Sequence, residues 1–364
     1  MMRVRGSSYG VLFSLARAPK AVERGALILA LLLLAQGSLA AGNDLEPYSL
    51  SSTEAYQLLS DRKWPEAVIA FRSMLKQSPD STQAILGLAR ALVFSGRREE
   101  ALSLLIRAAE DQGRSKRQKF GARANVLSKI FLTNSTFQIY QEGVNLLLSG
   151  KYRLARERFD RALEVEADNV ELLVRTGQVL VLDGDFDSAA ERLRLARRLN
   201  PFEPVIRVWL GRAMHKRGEH REAVAELRSA VSELPDSEHA AVWLAEAMIS
   251  NGQRPGAIRL LEEHVKRWPF HLNALVSLAR YRLIFAARDE VGVWAARKDL
   301  QVALSRVSSG SVPGGMDGEM TERHFGILRG IWPADLKSEI ARLLEQVEAR
   351  VAAQKQMRAD GLKE

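Results

Sequence analysis

Asp183, Asp185 and Asp187 stand at alternate positions in "LDGDFDSAAERL", Leu182 to Leu193, which is how a calcium loop begins. Such a loop needs glycine at its sixth position and a bidentate glutamate at its twelfth. Counted from Asp183, those places hold Ser188 and Arg194, and an arginine in the closing position repels the ion. The same residues read equally as a helix stop and a helix start. Leu180 and Leu182 end an apolar run, Gly184 takes the left-handed conformation, and Asp187 caps the next helix. The loop fails two defining positions, so the stretch is read as a turn and no specific calcium site is expected.

The six histidines are the other residues with ligand chemistry. His215 and His220 are five apart across a turn, not the spacing that puts two ligands on one helical face. His264 stands where four other copies of the pattern described below have alanine, which marks it for packing or a groove. No phosphate loop, dinucleotide fingerprint or nucleophile elbow occurs. No catalytic residue, cofactor or metal is therefore expected, and the chain is not read as an enzyme. The absence of cysteine excludes disulfides, thiolate metal sites and cysteine nucleophiles.

The elements that would position any such residues are helical. The 364 residues are 46% hydrophobic and 27% charged, with only 11 prolines and 7% aromatic side chains. Abundant Leu, Ala, Arg and Glu favour helix. Residues 1–40 read as a leader. Arg3, Arg5, Arg17, Lys20 and Arg24 precede the apolar run Ala26 to Ala35, and Ser38 and Ala40 suit a signal peptidase that cuts before Ala41. The run is about ten residues where a membrane span needs ~20. The expectation is cleaved export, to the periplasm or beyond, with an uncleaved inner-membrane anchor as the alternative. The leader carries five basic residues and one acidic, so removing it takes the net charge from +9 to +5. That modest charge, with no regular base-reading side chains, excludes nucleic acid as the expected partner.

The chain repeats itself. Ala155, Ala189, Ala223 and Ala257 are spaced by 34, as are Ala67 and Ala101, while Ala101 and Ala155 are 54 apart, one period plus 20. Twelve residues before these alanines stand Ala55, Ala89, Gly143, Gly177, Gly211 and Ala245. Nine before stand Leu58, Leu92, Leu146, Leu180, Met214 and Met248, and five before stand Arg62, Gly96, Gly150, Gly184, Gly218 and Gly252. Four after stand Phe71, Leu105, Phe159, Leu193, Leu227 and Leu261. A small residue in one helix lets the next approach, a large one fills the space beside it, and glycine ends the helix. One such pair cannot bury its own apolar face, so neighbours must stack.

This pattern resembles the tetratricopeptide repeat, a helix–turn–helix unit. The resemblance covers about Tyr48 to Gly113 and Thr136 to Pro269, although the family's tryptophan is missing from its usual place. A decayed seventh unit keeps Leu275, Leu278 and Ala279, with Arg282 in place of the large apolar residue and Val291 in place of alanine. It implies an all-α fold, a right-handed α-solenoid of six to seven repeats with an inserted helix and a C-terminal capping helix. The expected organisation is a leader at 1–40, a first block of two repeats at 41–112, and a basic inserted helix at 113–135. A second block follows at 136–304, then a Gly/Ser-rich linker at 305–334 and a C-terminal amphipathic helix at 335–364.

The insert centres on "RSKRQKFGARANVLSK", Arg114 to Lys129, with six basic residues and no acid. Val126, Leu127, Ile130 and Phe131 are placed on one helical face, and Ser135 with Gln138 reads as a capping box. The insert is expected to break the stack into two blocks and to present a solvated basic face, or an anionic contact. After Pro333 and Asp335, a stripe of Leu336, Ile340, Leu343, Leu344, Val347 and Val351 reads as a helix capping the last open face.

The resemblance further implies that first helices line a concave face that holds an extended peptide or a partner helix. The register puts Tyr56, Arg90, Val144, Gln178, Arg212, Glu246 and Arg280 in one row. The next turn adds Leu59, Val93, Leu147, Val181, His215, Ile249 and Leu283. An apolar row beside spaced arginines predicts an apolar partner segment with acidic residues or a free C-terminus. The functional expectation is a non-catalytic scaffold or adaptor of the cell envelope that binds other proteins. The alternative is a membrane-anchored assembly factor of an inner-membrane complex.

Overall fold

The computed structural model describes residues 50–110, 113–286, 290–308 and 336–361. The leader, the Gly/Ser-rich stretch after Ser308, Pro333 and Asp335 lie outside the described residues. Glu54–Glu364 is one compact unit; of the other, Met1–Thr53, only the helical residues from Leu50 are described.

Among the described residues there are sixteen α-helices and no strand. Helices α1 (Leu50–Ser60) and α2 (Trp64–Gln77) form the first pair, and α3 (Thr82–Phe94) and α4 (Arg98–Glu110) the second. Helix α5 (Gly113–Leu127) is unpaired. The pairs resume with α6 (Asn134–Leu148) and α7 (Tyr152–Val165), then α8 (Val170–Asp183) and α9 (Phe186–Leu199). Next come α10 (Pro204–Lys216) and α11 (His220–Glu233), then α12 (Glu238–Ser250) and α13 (Arg254–Arg267). The last pair is α14 (Leu272–Phe285) with α15 (Glu290–Ser308), and α16 (Leu336–Gly361) ends the described chain. From α6 to α15 each helix packs on its successor, and first helices also meet across pairs: α8 meets α10, α10 meets α12 and α12 meets α14. The fold is an all-α solenoid.

The periodic residues have the roles their sizes suggest. A Cβ added at Gly177 would lie 2.5 Å from Leu193, and one at Gly211 would lie 2.5 Å from Leu227. Ala67, Ala101, Ala155, Ala189, Ala223 and Ala257 are all fully buried. Gly184 is left-handed at φ 87°, and the equivalent glycines of four other turns also have positive φ. In the first pair that position is Arg62, the one non-glycine of the described residues with positive φ, at 59°. The "LDGDFDSAAERL" stretch is a turn, but its cap is Asp185 and not Asp187. The Asp185 carboxylate accepts from the Ser188 amide at 3.2 Å, and Asp187 sits in the first helical turn, paired with Arg217. The reason is where the helix starts: α9 opens at Phe186, so the preceding residue faces the free amides.

The insert differs from its sequence reading. Its helix ends at Leu127, so Ile130 and Phe131 are not helical, and Val126 is 47% exposed. The buried face is Phe120, Ala124 and Leu127. The following helix is capped by Thr133, whose hydroxyl accepts from the Thr136 amide at 3.1 Å, and not by a Ser135–Gln138 box. Helix α5 packs on α4 and also touches α3, as the first helix of a further pair would, so half a repeat is added and the chain then starts again at α6.

A polar joint ties that restart to the preceding block. Arg98, fully buried at the start of α4, donates to Glu166 at 2.9 Å, to the Ile130 carbonyl at 2.5 Å and to Asp168. Glu166 also accepts from the Leu132 amide at 2.8 Å and from Asn169 at 3.1 Å. Beside it, Asn200 donates to Asn125 at 2.8 Å and to Ser128 at 3.1 Å, and the Val170 amide donates to the Ser128 carbonyl at 3.0 Å. A desolvated guanidinium needs such acceptors on every side.

The seventh pair is regular after a shift. Val291 is 77% exposed, whereas Ala296, Leu300 and Ala303 are fully buried, 39 residues after Ala257, Leu261 and His264. Five added residues therefore restore the pattern that a 34-residue step misses. Helix α15 runs to Ser308, so Ser305–Ser308 belong to it and not to a linker. Ile340, Leu343, Val347 and Val351 of α16 are buried in a cluster with α14 and α15 residues.

Candidate partner-binding face

The register row runs along consecutive first helices, and its members divide by accessibility. Tyr56, Arg90, Val144, Arg212, Glu246 and Arg280 are half-buried, while Gln178 is buried with its Nε2 unpartnered among the described residues. The second row is different. Leu59, Val93, Leu147, Val181 and Leu283 are buried in the packing between helices, so they support the face and do not form it. The cause is geometric: three residues is 300° of helix, enough to turn a side chain from the face into the inter-helix seam. Only His215 and Ile249 of that row stay half-buried.

The row is polar and linked. Tyr56 donates to the Gln83 carbonyl at 3.1 Å. Arg212 pairs with Glu246, one period along the chain, and lies 5.0 Å over the Trp243 ring. Arg280 pairs with Glu339 of α16 at 2.9 Å. The spaced arginines at these two places are therefore neutralised by their own chain. Between them and the first block stands a network that meets the row only at Gln178. Tyr140 donates to Glu171 at 3.0 Å, Arg175 pairs with Glu171 at 2.7 Å, and Arg175 donates to Gln178 at 3.1 Å. Burial raises the Glu171 carboxyl, but Arg175 and Lys129, with the hydrogen bonds from Arg175 and Tyr140, hold it at about 2. A signal exists in the sequence, since Glu171 and Arg175 are spaced i,i+4 on one helix.

The histidines lie closer than their spacing implies. His215 and His220 share a hydrogen bond at 3.2 Å because the turn folds α11 back beside α10. Burial lowers the His215 pKa to about 4, with Arg212 and His220 adding to the effect against Glu246. His264 is buried, shares a hydrogen bond with His271 at 2.8 Å and stacks near Trp268, so it is a packing residue on a second helix. Among the described residues no cluster of three or more His, Asp or Glu side chains is arranged to hold a metal ion; Asp183 ends α8, Asp185 caps α9 and Asp187 lies in its first turn.

Two family models, each described as tetratricopeptide repeat, match this chain, one at residues 58–124 and 214–270 and the other at 140–204 and 183–238. Together they take in more than half of the sequence. The chain belongs to the tetratricopeptide repeat family. Proteins of this family are in general non-catalytic scaffolds for protein–protein interaction. The first match runs on to residue 124, and so takes in most of α5 as part of the tetratricopeptide stack. Several solved structures are similar. MamA 41-end from Desulfovibrio magneticus RS-1 is 17% identical with a TM-score of 0.42, covering 49% of this chain and 98% of that one. A tetratricopeptide repeat protein from Parabacteroides merdae ATCC 43184 is 15% identical, TM-score 0.38, covering 82% of this chain and 100% of that one. A thermophilic tetratricopeptide protein from Thermus thermophilus is 18% identical, TM-score 0.40, covering 49% and 98%. No curated protein sequence matches the chain.

Proposed function

We propose that this tetratricopeptide chain is an exported scaffold of the cell envelope that holds a segment of a partner protein along its first helices. The observation that carries the reading is the half-buried row of Tyr56, Arg90, Val144, Arg212, Glu246 and Arg280, from six of the seven repeats, beside a row that is sealed except at His215 and Ile249. Side chains that are supported from below and accessible above lose little freedom on binding. Export rests on the leader at 1–40; among the described residues no helix is long and apolar enough to cross a membrane.

The experiment uses the full chain as bait in envelope extracts, against a variant carrying Arg212→Gln and Glu246→Gln together. Removing both members of the pair leaves no buried charge unmatched, so circular dichroism should stay unchanged while a captured partner is lost. Retention of the same partner by the double variant refutes groove binding. N-terminal sequencing of the exported protein should begin at Ala41; a product that retains Leu31 to Leu34 is anchored instead.

A further inference from the structure

The leading amides of a helix need acceptors, and the residue before the helix normally supplies one. In α3, α6, α8 and α12 that residue is Ser81, Thr133, Asn169 or Ser237, a neutral side chain that accepts from the first turn. Helix α14 is built differently. Its N-cap is His271, which makes no side-chain bond to the helix amides and shares one with His264 of α13 at 2.8 Å. The Ala274 amide goes to a carboxylate from another repeat. Glu238 accepts it at 2.9 Å and accepts from Asn273 Nδ2 at 3.2 Å. Titratable groups from α12 and α13 therefore hold the start of α14, where neutral caps serve those four helices.

The same step is unusual in its packing. His264 is 4% exposed at the register position where Ala162, Ala196 and Ala230 are fully buried. A ring that can take a proton thus stands where three earlier repeats close with a methyl group. Trp268 lies beside both imidazoles, its ring centroid 4.7 Å from His264 and 6.2 Å from His271. The apolar core also divides here. Ala274, Leu278 and Tyr281 of α14 belong to the cluster that runs back through Leu261, whereas Leu275, Val276, Ala279 and Leu283 join α15 and α16. From α6 to α16, successive helices meet least at α13 and α14.

We propose that the step from α13 to α14 is an acid-operated hinge, at which protonation of the His264–His271 pair releases α14, α15 and α16 as one body. The two rings share one hydrogen bond, in which one nitrogen donates and the other accepts. A first added proton can reside on His271 with the bond kept. A second leaves two donors facing each other and a charge on a ring that is out of water. Burial, and then His271, hold His264 at about 4, so that second step comes in acid. On the α12 side stand Glu238, which burial raises, and His239, which burial first and then His271 and Arg212 keep neutral. A proton on Glu238 weakens it as an acceptor in the same direction of pH. From α13 and α15, Glu262 and Asp299 both pair with Arg282 of α14, and Arg306 donates to the Pro269 carbonyl. The Arg282–Glu262 pair spans the step, but its acid is 42% exposed and the pair is weak. Arg280 of the half-buried row travels with α14, so an effect on a partner rests on the groove reading; the hinge itself does not.

The test is hydrogen exchange of the full chain, read by mass spectrometry and corrected for intrinsic rates, from about pH 6.5 to about pH 4.5. No partner is present, so the result stands whether or not the face binds one. Helices α14, α15 and α16 should lose about tenfold more protection than α8 to α12, and should regain it at neutral pH. His264→Gln should abolish the difference. His264→Ala with His271→Asn copies Ala162 and Asn169 of an earlier step, should abolish it too, and serves if the glutamine variant does not fold. Glu238→Gln keeps an oxygen for the Ala274 amide and should still open. Equal loss along α8 to α16, or separate opening of α14 and α16, overturns the hinge. An opening that either histidine variant retains, or that Glu238→Gln alone abolishes, overturns the assignment to the histidine pair.

Discussion

Replacing Arg98 by alanine should cost about 3 kcal/mol and should uncouple the two halves of the stack. The guanidinium is fully buried and its partner Glu166 is 2% exposed, so both charges are out of water. Removing one member of a buried pair typically costs about 3–5 kcal/mol, because the other is left uncompensated. The lower end applies here. Glu166 keeps the Leu132 amide at 2.8 Å and Asn169 at 3.1 Å, and Asp168 is 30% exposed and can return to water. An exposed pair such as Arg72–Glu100, at 47% and 39%, should lose under about 1 kcal/mol by the same change. Urea titration followed by circular dichroism gives the free energy, and hydrogen exchange gives the coupling. In the parent, amides of α3 and of α10 should open together. In Arg98→Ala, α3 should open at lower urea, since cooperation between repeats depends on the interface between them. Arg98→Met combined with Glu166→Gln should lose less than the sum of the single changes. A loss under about 1 kcal/mol, the range of an exposed pair, or a joint opening of α3 and α10 in the variant, would refute the claim that this cluster joins the blocks.

Three further outcomes follow from the same geometry. Arg62→Gly should stabilise the chain by about 1 kcal/mol in a urea titration, because a left-handed residue with a Cβ costs about that much and glycine does not. Gly177→Ala should destabilise by about 1–3 kcal/mol, since the new Cβ would lie 2.5 Å from Leu193, and Leu193→Ala in the same chain should make the glycine change nearly neutral. His264, held neutral by burial and then by His271, has a pKa of about 4 against an unfolded value near 6.5. Its folded pKa is lowered, so the unfolded chain binds the extra proton first. His264 should contribute its full stability above about pH 6.5 and lose about 2–3 kcal/mol of it toward about pH 4.5, alongside His215, and His264→Gln should remove that share of the slope.

The repeat is legible because it is written in residue sizes. A small residue at Gly177, a large one at Leu193 and a glycine at Gly184 each answer a steric demand that has few solutions, so the period shows through drift elsewhere. Two kinds of boundary are not legible for a related reason. The buried positions of α15 fall five residues late, and the three residues from 287 to 289 carry no size signal that announces the shift. The caps at Asp185 and Thr133 each lie two residues before the one the sequence suggests, since several neighbouring side chains could cap and only the helix start decides.

The face is half legible. Register arithmetic finds which side chains share a row, because a 34-residue step returns to the same angle on the same kind of helix. It does not find which charges meet across rows, which depends on where side chains from other helices arrive. Glu246 reaches Arg212 from within the row, but Glu339 reaches Arg280 from a helix 59 positions on. Arginines that share one register in the sequence thus become an uneven field in the fold, since Arg212 and Arg280 are matched inside the chain.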